Sequence, residues 1–190
     1  MPQTQSSKEP LFFPGFFKGK GRPDHHIEDV KRAVVLKVLP AILSWLGETL
    51  DPKDEDDQSR LDEIQDDLLD VVCYSQDGYA MTKELEDDKG WADADSELVD
   101  ILDNLEFYSI GNAAIIQWIA DNEVKPKLAA GAIVRVKQNR HRKEEFTGEI
   151  IQVEDSGNYV VLIPSQGHVR EGVGTHGWCI PWEEVEALNP

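Results

Sequence analysis

Residues 125–163 read KPKLAAGAIVRVKQNRHRKEEFTGEIIQVEDSGNYVVLI, and within them the hydrophobic period of the chain changes. Lys125-Pro126-Lys127 breaks the preceding pattern, since proline and the residue before it both disfavour continuing a helix. Beyond it the apolar residues alternate: Ile133, Val134 and Val136, then Gly148, Ile150 and Val153, then Tyr159, Val161 and Ile163. A period of two marks strands with one buried face. Asp155-Ser156-Gly157-Asn158 supplies the chain's strongest hairpin signal. A strand over Gly177–Pro181 and a single helical turn over Trp182–Leu188 complete the segment. This reading predicts a small β domain over residues 128–190.

Upstream of Lys125 the period is helical. Asp24 is placed to cap a helix from about Ile27 to Leu50, with Glu28 and Asp29 favourable in its first turn. Its stripe of Val30, Val34, Val38, Ile42 and Trp45, widened by Leu36, Leu39, Leu43 and Leu46, suits a central helix. Pro40 predicts a kink or break. Ser59 is the expected cap of a second helix burying Leu61, Ile64, Leu68 and Val71, with Val72 or Ser75 at its end and Gly78 terminating it. A short helix over Ala80–Lys89 stops at Gly90. Asp95 or Ser96 starts another, with Leu98, Val99, Ile101, Leu102 and Leu105 facing inward. Phe107–Glu123 reads as a final helix through Ile110, Ala114, Ile115, Trp118 and Ile119, with a candidate break at Gly111. Short connections between helices predict a bundle over residues 25–124. Residues 1–24 carry no period and read as a flexible arm. Phe12, Phe13, Phe16 and Phe17 crowd around its Pro14-Gly15. Four clustered phenylalanines call for docking, first of all onto the protein itself.

The alternating segment resembles a small SH3-like barrel of the Tudor or KOW type. The resemblance rests on Gly131-x-x-Val134-x-Val136, Gly148-x-Ile150-x-x-Val153, Tyr159-x-Val161 and Val185-x-x-Leu188, and covers residues 128–190. Together with the helical segment before it, this gives the expectation of an α+β fold, an acidic N-terminal helical bundle followed by a C-terminal SH3-like β-barrel. Such barrels bind proline-rich peptides, methylated side chains, RNA or proteins. The four-sided aromatic cage of the methyl-binding members is not visible, since only Trp178, Trp182, Tyr159 and Phe146 are present and two of them are expected to pack inside. The central segment, through Gly78-Tyr79-x-x-Thr82-x-x-Leu85-Glu86, Trp91 and Glu97-Leu98-Val99-Asp100-Ile101-Leu102-Asp103, resembles small proteins of bacterial viruses and plasmids. This implies a mobile-element setting.

Charge is unevenly distributed. The 190 residues carry a formal net charge of -18. Residues 47–106 hold 22 Asp and Glu against 4 Lys and Arg, which is the whole excess. Such a block repels nucleic acid and steers basic partners toward itself. Cys73 and Cys179 stand far apart and outside any CxxC pair, which predicts a reduced, cytoplasmic protein without a disulfide framework. No apolar run approaches the roughly 20 residues that cross a bilayer. Pro10, Pro14 and Gly15 interrupt the only apolar patch near the start, which predicts no signal peptide.

The leading candidate site is the acidic face of the second helix, formed by Asp62, Glu63, Asp66, Asp67 and Asp70. Eight steps of about 1.5 Å spread these charges over ~12 Å, or ~3 Å each. One DNA strand carries a charge every ~3.4 Å, so a DNA-mimicking surface is physically available. The competing site is basic: Arg135, Lys137, Arg140, Arg142 and Lys143 lie on the first strand and the loop after it, where they could touch phosphates. Glu144 and Glu145 follow directly, and docking of this loop on the acidic bundle is favoured over RNA. A third reading is a magnesium-dependent nucleotide pyrophosphatase with carboxylates at i and i+3 (Glu48/Asp51, Glu63/Asp66) on facing helices. His25-His26 and the His168, His176, Cys179 group fall short of a structural zinc set. Gly172–Gly177 is glycine-rich but follows no strand–helix unit, so it reads as a loop. No catalytic residue, metal or cofactor is assigned. The expectation is a non-catalytic inhibitor, suited to a bacteriophage or plasmid, that offers its acidic surface to a protein partner with a basic surface. A nucleic-acid-binding adaptor working through the barrel is the alternative.

Overall fold

A computed structural model describes residues 11–24, 26–92, 94–138, 142–166 and 177–188. The chain divides into two compact units, Met1–Phe13 with Gly21–Ala114, and Pro14–Lys20 with Ile115–Pro190.

The first unit contains α1 (Glu28–Leu46), α2 (Glu55–Val71), α3 (Gly78–Lys89), α4 (Ser96–Asp103) and the first half of α5 (Phe107–Asp121). α1 packs on α2, α2 on α3, α3 on α4 and α4 back on α1. The core follows from the helical period. Leu61, Ile64, Leu68 and Val71 of α2 are buried at steps of three and four, together with Val30, Val34 and Ile42 of α1, Met81 and Leu85 of α3, and Leu98 and Leu102 of α4.

Aspartates start three of the helices. Asp54 accepts the Asp56 and Asp57 amides at 3.0 and 3.2 Å, Asp77 accepts that of Ala80 at 2.8 Å, and Asp95 accepts those of Glu97 and Leu98 at 3.0 and 3.1 Å. Each such cap stabilises its helix by about 1 kcal/mol. Five sequence-based expectations are corrected here. α2 begins at Glu55 and not after Ser59, because the Asp54 carboxylate reaches the free amides and Glu55, Asp56 and Asp57 suit the positive helix end. Asp24 accepts the His26 amide at 2.8 Å, while Ile27 occupies the cap position of α1 without a side-chain bond. Gly78 opens α3 where it was expected to close α2. α1 runs unbroken through Pro40, as α5 does through Gly111. Pro40 and Leu36, whose carbonyl loses its usual donor, both lie on the exposed side, open to water.

The second unit contains a five-stranded antiparallel sheet in the order β4-β3-β2-β1-β5. Its strands are β1 (Ile133–Val136), β2 (Phe146–Glu154), β3 (Asn158–Leu162), β4 (Trp178–Pro181) and β5 (Val185–Ala187). Alternation places Val134, Val136, Ile150, Tyr159, Val161, Ile180 and Val185 in one buried cluster with Ile163. The β2–β3 hairpin turns at Asp155–Gly157: Gly157 takes φ 80°, which glycine adopts without strain, and its amide returns to the Glu154 carbonyl at 3.1 Å. The helical turn expected over Trp182–Leu188 is corrected. A 3-10 turn spans Trp182–Glu184 only, and the chain then extends as β5, pairing Val185 with Val136 and burying its side chain. Pairing of Val185, Glu186 and Ala187 with Val136, Arg135 and Val134 holds this stretch extended.

The expected arm over residues 1–24 is described from residue 11 onward. In the second unit Pro14–Lys20 is held against the end of α5. The amides of Gly15 and Phe17 donate to the two Asp121 carboxylate oxygens at 2.6 and 2.8 Å. Gly19 donates to Asn122 Oδ1 at 2.9 Å, and Asn122 Nδ2 returns a bond to the Phe17 carbonyl at 2.9 Å. The Trp118 indole N–H donates to the Lys20 carbonyl at 2.9 Å. Phe17 is 1% exposed and Phe12, in the first unit, 5%, while Phe13 is 63% exposed. Phe16 is half-buried, meets Phe17 edge-on and carries the Lys20 ammonium over its ring at 4.2 Å. The first ten residues of the expected arm lie outside the described ones.

Asp121 makes this attachment acid-sensitive. Partial burial raises its pKa, but the bonds from Gly15, Phe17 and Gln117 outweigh that and hold it below the ordinary carboxylate value. A depressed native pKa contributes stability above the unfolded value of about 3.9, and this is lost as pH falls through the native value. Acidification from about pH 4 downward should therefore lower the protection of the Gly15 and Phe17 amides, relative to their intrinsic exchange rates, before the sheet melts. Asp121→Ala should show the lowered protection already at neutral pH. Unchanged protection of these two amides in the variant would contradict the clasp.

Candidate functional site

The acidic surface is built on α2. Its apolar positions face the core, so the remaining positions must face water or a neighbour, and the structure separates the two cases. Asp62, Glu63, Asp66 and Asp70 are exposed, and Asp67 is half-buried. Asp67 accepts the Trp91 indole N–H at 2.9 Å and lies 3.6 Å from Lys89. Lys89 bonds Asp70 at 2.5 Å and holds its carboxyl below the usual range. Trp91 stacks on Trp45 at 6.0 Å, and the Trp45 indole N–H is bound by Asp95 at 3.0 Å. Asp67 and Asp70 thus tie α2 to α3 and to the chain just after it. The five carboxylates are not one uniform free surface.

Glu63 bonds Arg60 at 2.7 Å, and Arg60 also reaches Glu48 at 3.1 Å. These hydrogen bonds to Glu48 and Glu63 raise the guanidinium pKa further. Glu48 and Glu63 are indeed brought together, as the pyrophosphatase reading required, but a guanidinium bridges them where a cation would be held. Asp62 accepts from Gln58 Nε2 at 2.6 Å, a neutral partner. Among the described residues Glu55, Asp56, Asp62 and Asp66 have no cation within ion-pair distance. The outer edge and N-terminal half of α2 therefore carry negative charge with no cation in ion-pair distance among the described residues. Arg60 was detectable in sequence as an i, i+3 partner of Glu63. Lys89 and Trp91 carried no such signal.

The basic run is arranged differently. Arg135 lies 3.8 Å from Glu145, Lys137 bonds Glu186 at 2.7 Å, and Arg142 pairs with Glu184. The Lys137 bond holds the Glu186 carboxyl below its ordinary value. Lys143 is exposed, with no acidic side chain in ion-pair distance among the described residues, and Arg140 lies outside them. The counter-charges come from the loop before β2 and from the Glu184–Glu186 edge, which fold places beside β1.

The four aromatics of the sheet meet in pairs. Phe146 and Trp178 are edge-to-face at 5.4 Å, and Tyr159 and Trp182 lie 6.1 Å apart. Tyr159 is 1% exposed and its hydroxyl accepts the Leu128 amide at 3.0 Å, so it offers no wall to a ligand. His25, His168 and His176 lie outside the described residues. Among those described, no three His, Cys, Asp or Glu side chains gather as a metal site, and no helix is long and apolar enough to cross a membrane. Cys73 and Cys179 are both free thiols. In comparisons with protein-family models, curated proteins and solved structures, nothing matches the chain.

Proposed function

We propose that this is a non-catalytic protein that binds another protein, turning the acidic side of its helical unit toward a basic surface. The observation that carries this reading is the contrast between the two charged surfaces. Arg135, Lys137 and Arg142 are each paired with a glutamate of the same unit, whereas Glu55, Asp56, Asp62 and Asp66 on α2 are exposed with no cation in ion-pair distance among the described residues. An uncompensated field steers partners over a Debye length, while a paired one does not. Asp62 and Asp66 are one helical turn apart, ~6 Å along the axis. That separation is close to two charge steps of ~3.4 Å on a DNA strand, which supports a surface standing in for DNA phosphates. With the mobile-element resemblance of residues 78–103, the reading becomes an inhibitor of a DNA-binding protein, acting in the cytoplasm.

The second unit is then an accessory module. Its meander order, with a 3-10 turn just before the last strand, supports the SH3-like small-barrel reading. A nucleic-acid adaptor working through this sheet would need Arg135, Lys137 and Arg142, which neighbouring glutamates already engage. Titration of labelled duplex DNA and single-stranded RNA at about 50 mM salt, where phosphate contacts are strong, should give no measurable binding. Binding that disappears in an Arg135→Gln, Lys137→Gln, Arg142→Gln variant would replace this proposal with the adaptor.

A further inference from the structure

α1 and α4 meet along one seam of the helical unit and leave an open groove of about 440 Å³. Its floor is apolar: Val34, Val38 and Ala41 come from α1, and Ile101 and Leu105 from α4 and the residues after it. On each side the positions follow helical spacing. Val34, Val38 and Ala41 stand at i, i+4 and i+7, and Glu97, Ile101 and Leu105 at i, i+4 and i+8. Two helices carrying adjacent apolar stripes form the seat of a third helix, whose side chains pack as ridges into the groove. No described segment of the chain fills it.

Charge decides the occupant. Glu97 and Asp100 lie along the α4 rim, one turn apart, exposed and without a cation in ion-pair distance among the described residues. The rim lysine, Lys37, is already paired with Glu106 at 2.6 Å. A second copy of this chain would bring more carboxylates to a rim that already repels them. Residues 1–10, MPQTQSSKEP, have no apolar run to offer the floor. We infer that the groove receives an amphipathic helix from a protein partner, its apolar ridge on Val38, Ala41, Ile101 and Leu105 and its flanking Lys or Arg side chains on Glu97 and Asp100. This rests on the proposed acidic docking function and names the element that docks. The groove supplies the apolar anchoring that charge lacks, since exposed ion pairs alone contribute at most about 1 kcal/mol each.

The probe is a synthetic helix of about five turns, ~18 residues, with leucines at i, i+3, i+4 and i+7 and flanking lysines. A glutamate-flanked version and a scrambled version are its controls. Added to the ¹⁵N-labelled full chain, the lysine-flanked helix should shift the amides of Val38, Ala41, Ile101 and Leu105, and the controls should not. Ala41→Trp fills the groove from an exposed position and should cost roughly tenfold or more in affinity. Glu97→Gln with Asp100→Asn should cost about threefold to tenfold at low salt. Circular dichroism would establish that both variants stay folded. Equal binding of the lysine- and glutamate-flanked helices would overturn the inference. So would shifts confined to α2 and abolished by neutralising Asp62 and Asp66, an outcome that leaves the acidic docking function standing. Groove shifts that depend on protein concentration without peptide, and vanish in Ala41→Trp, would assign the groove to a second copy and overturn it as well. Binding unaffected by either set of substitutions would remove both readings.

Discussion

Gly78→Ala is expected to destabilise the helical unit by about 3 kcal/mol, although alanine for glycine ordinarily strengthens a helix by roughly 0.5–1 kcal/mol. The sign reverses because α3 begins in contact with α4. A Cβ at Gly78 would lie 2.3 Å from the Val99 carbonyl oxygen, 2.7 Å from the Asp103 amide nitrogen and 2.8 Å from Asp103 Oδ1. The first two are backbone atoms of a packed helix and cannot turn aside. The Gly78 amide also donates to Asp103 Oδ1 at 2.5 Å, so moving α3 outward to admit a methyl group would stretch that bond as well. Leu85 of α3 and Leu98 and Leu102 of α4 are at most 1% exposed, and they would lose packing in the same movement. For a unit of this size, such a loss should lower the melting temperature by about 10–20 °C. Thermal unfolding followed by circular dichroism reads this directly. A neutral or stabilising substitution would show that α3 and α4 do not approach this closely.

The same glycine shows what the sequence conceals. Next to Asp77 and after an apolar stripe, Gly78 has the local features of a helix terminator, and only the proximity of α4, about 20 residues further on, gives it another role. Local signals elsewhere were reliable. The α2 stripe of Leu61, Ile64 and Leu68, the stop at Gly90, the start at Asp95 and the turn at Asp155–Gly157 are all written in neighbouring residues, and the structure has each of them. The breaks allowed for at Pro40 and Gly111 do not occur, because helix-breaking propensity is a weak term beside the packing of Val34, Val35, Ile42, Ile110 and Ala114. The extended course of Val185–Ala187 was hidden because three residues are too few to show a period. Its pairing with β1 decides it.

The candidate surface was legible in composition and not in detail. The acidic excess of residues 47–106 is a count, and the helical period places Asp62, Glu63 and Asp66 on the outer face. That Asp67 and Asp70 are engaged by Trp91 and Lys89 depends on how α2 meets the end of α3, which no local pattern encodes. The neutralisation of Arg135, Lys137 and Arg142 depends likewise on strand register, which sets Glu145, Glu184 and Glu186 beside them. The clasp on Asp121 joins residues over 100 positions apart.

This division of roles determines how the acidic surface should be probed. Asp67 and Asp70 hold α2 to its neighbours, so substituting them would confound binding with folding. Asp62→Asn, Glu63→Gln and Asp66→Asn together remove three charges from exposed positions and leave the Leu61, Ile64 and Leu68 packing untouched. Arg60 keeps Glu48 as its partner. The melting temperature should stay within a few degrees of wild type, since exposed ion pairs contribute little. Association with the partner should change far more, because charge acts chiefly on the encounter.

The decisive measurement is the association rate of wild type and of this triple variant with the protein captured from the native host, at two ionic strengths. At 0.01 M salt, where the Debye length is about 30 Å, the variant should associate on the order of ten- to a hundredfold more slowly than wild type. At 0.15 M, where it is about 8 Å, the gap should shrink as wild type itself slows. Equal rates for the two proteins at both salt concentrations would contradict the account and leave the acidic face of α2 as a solubilising coat.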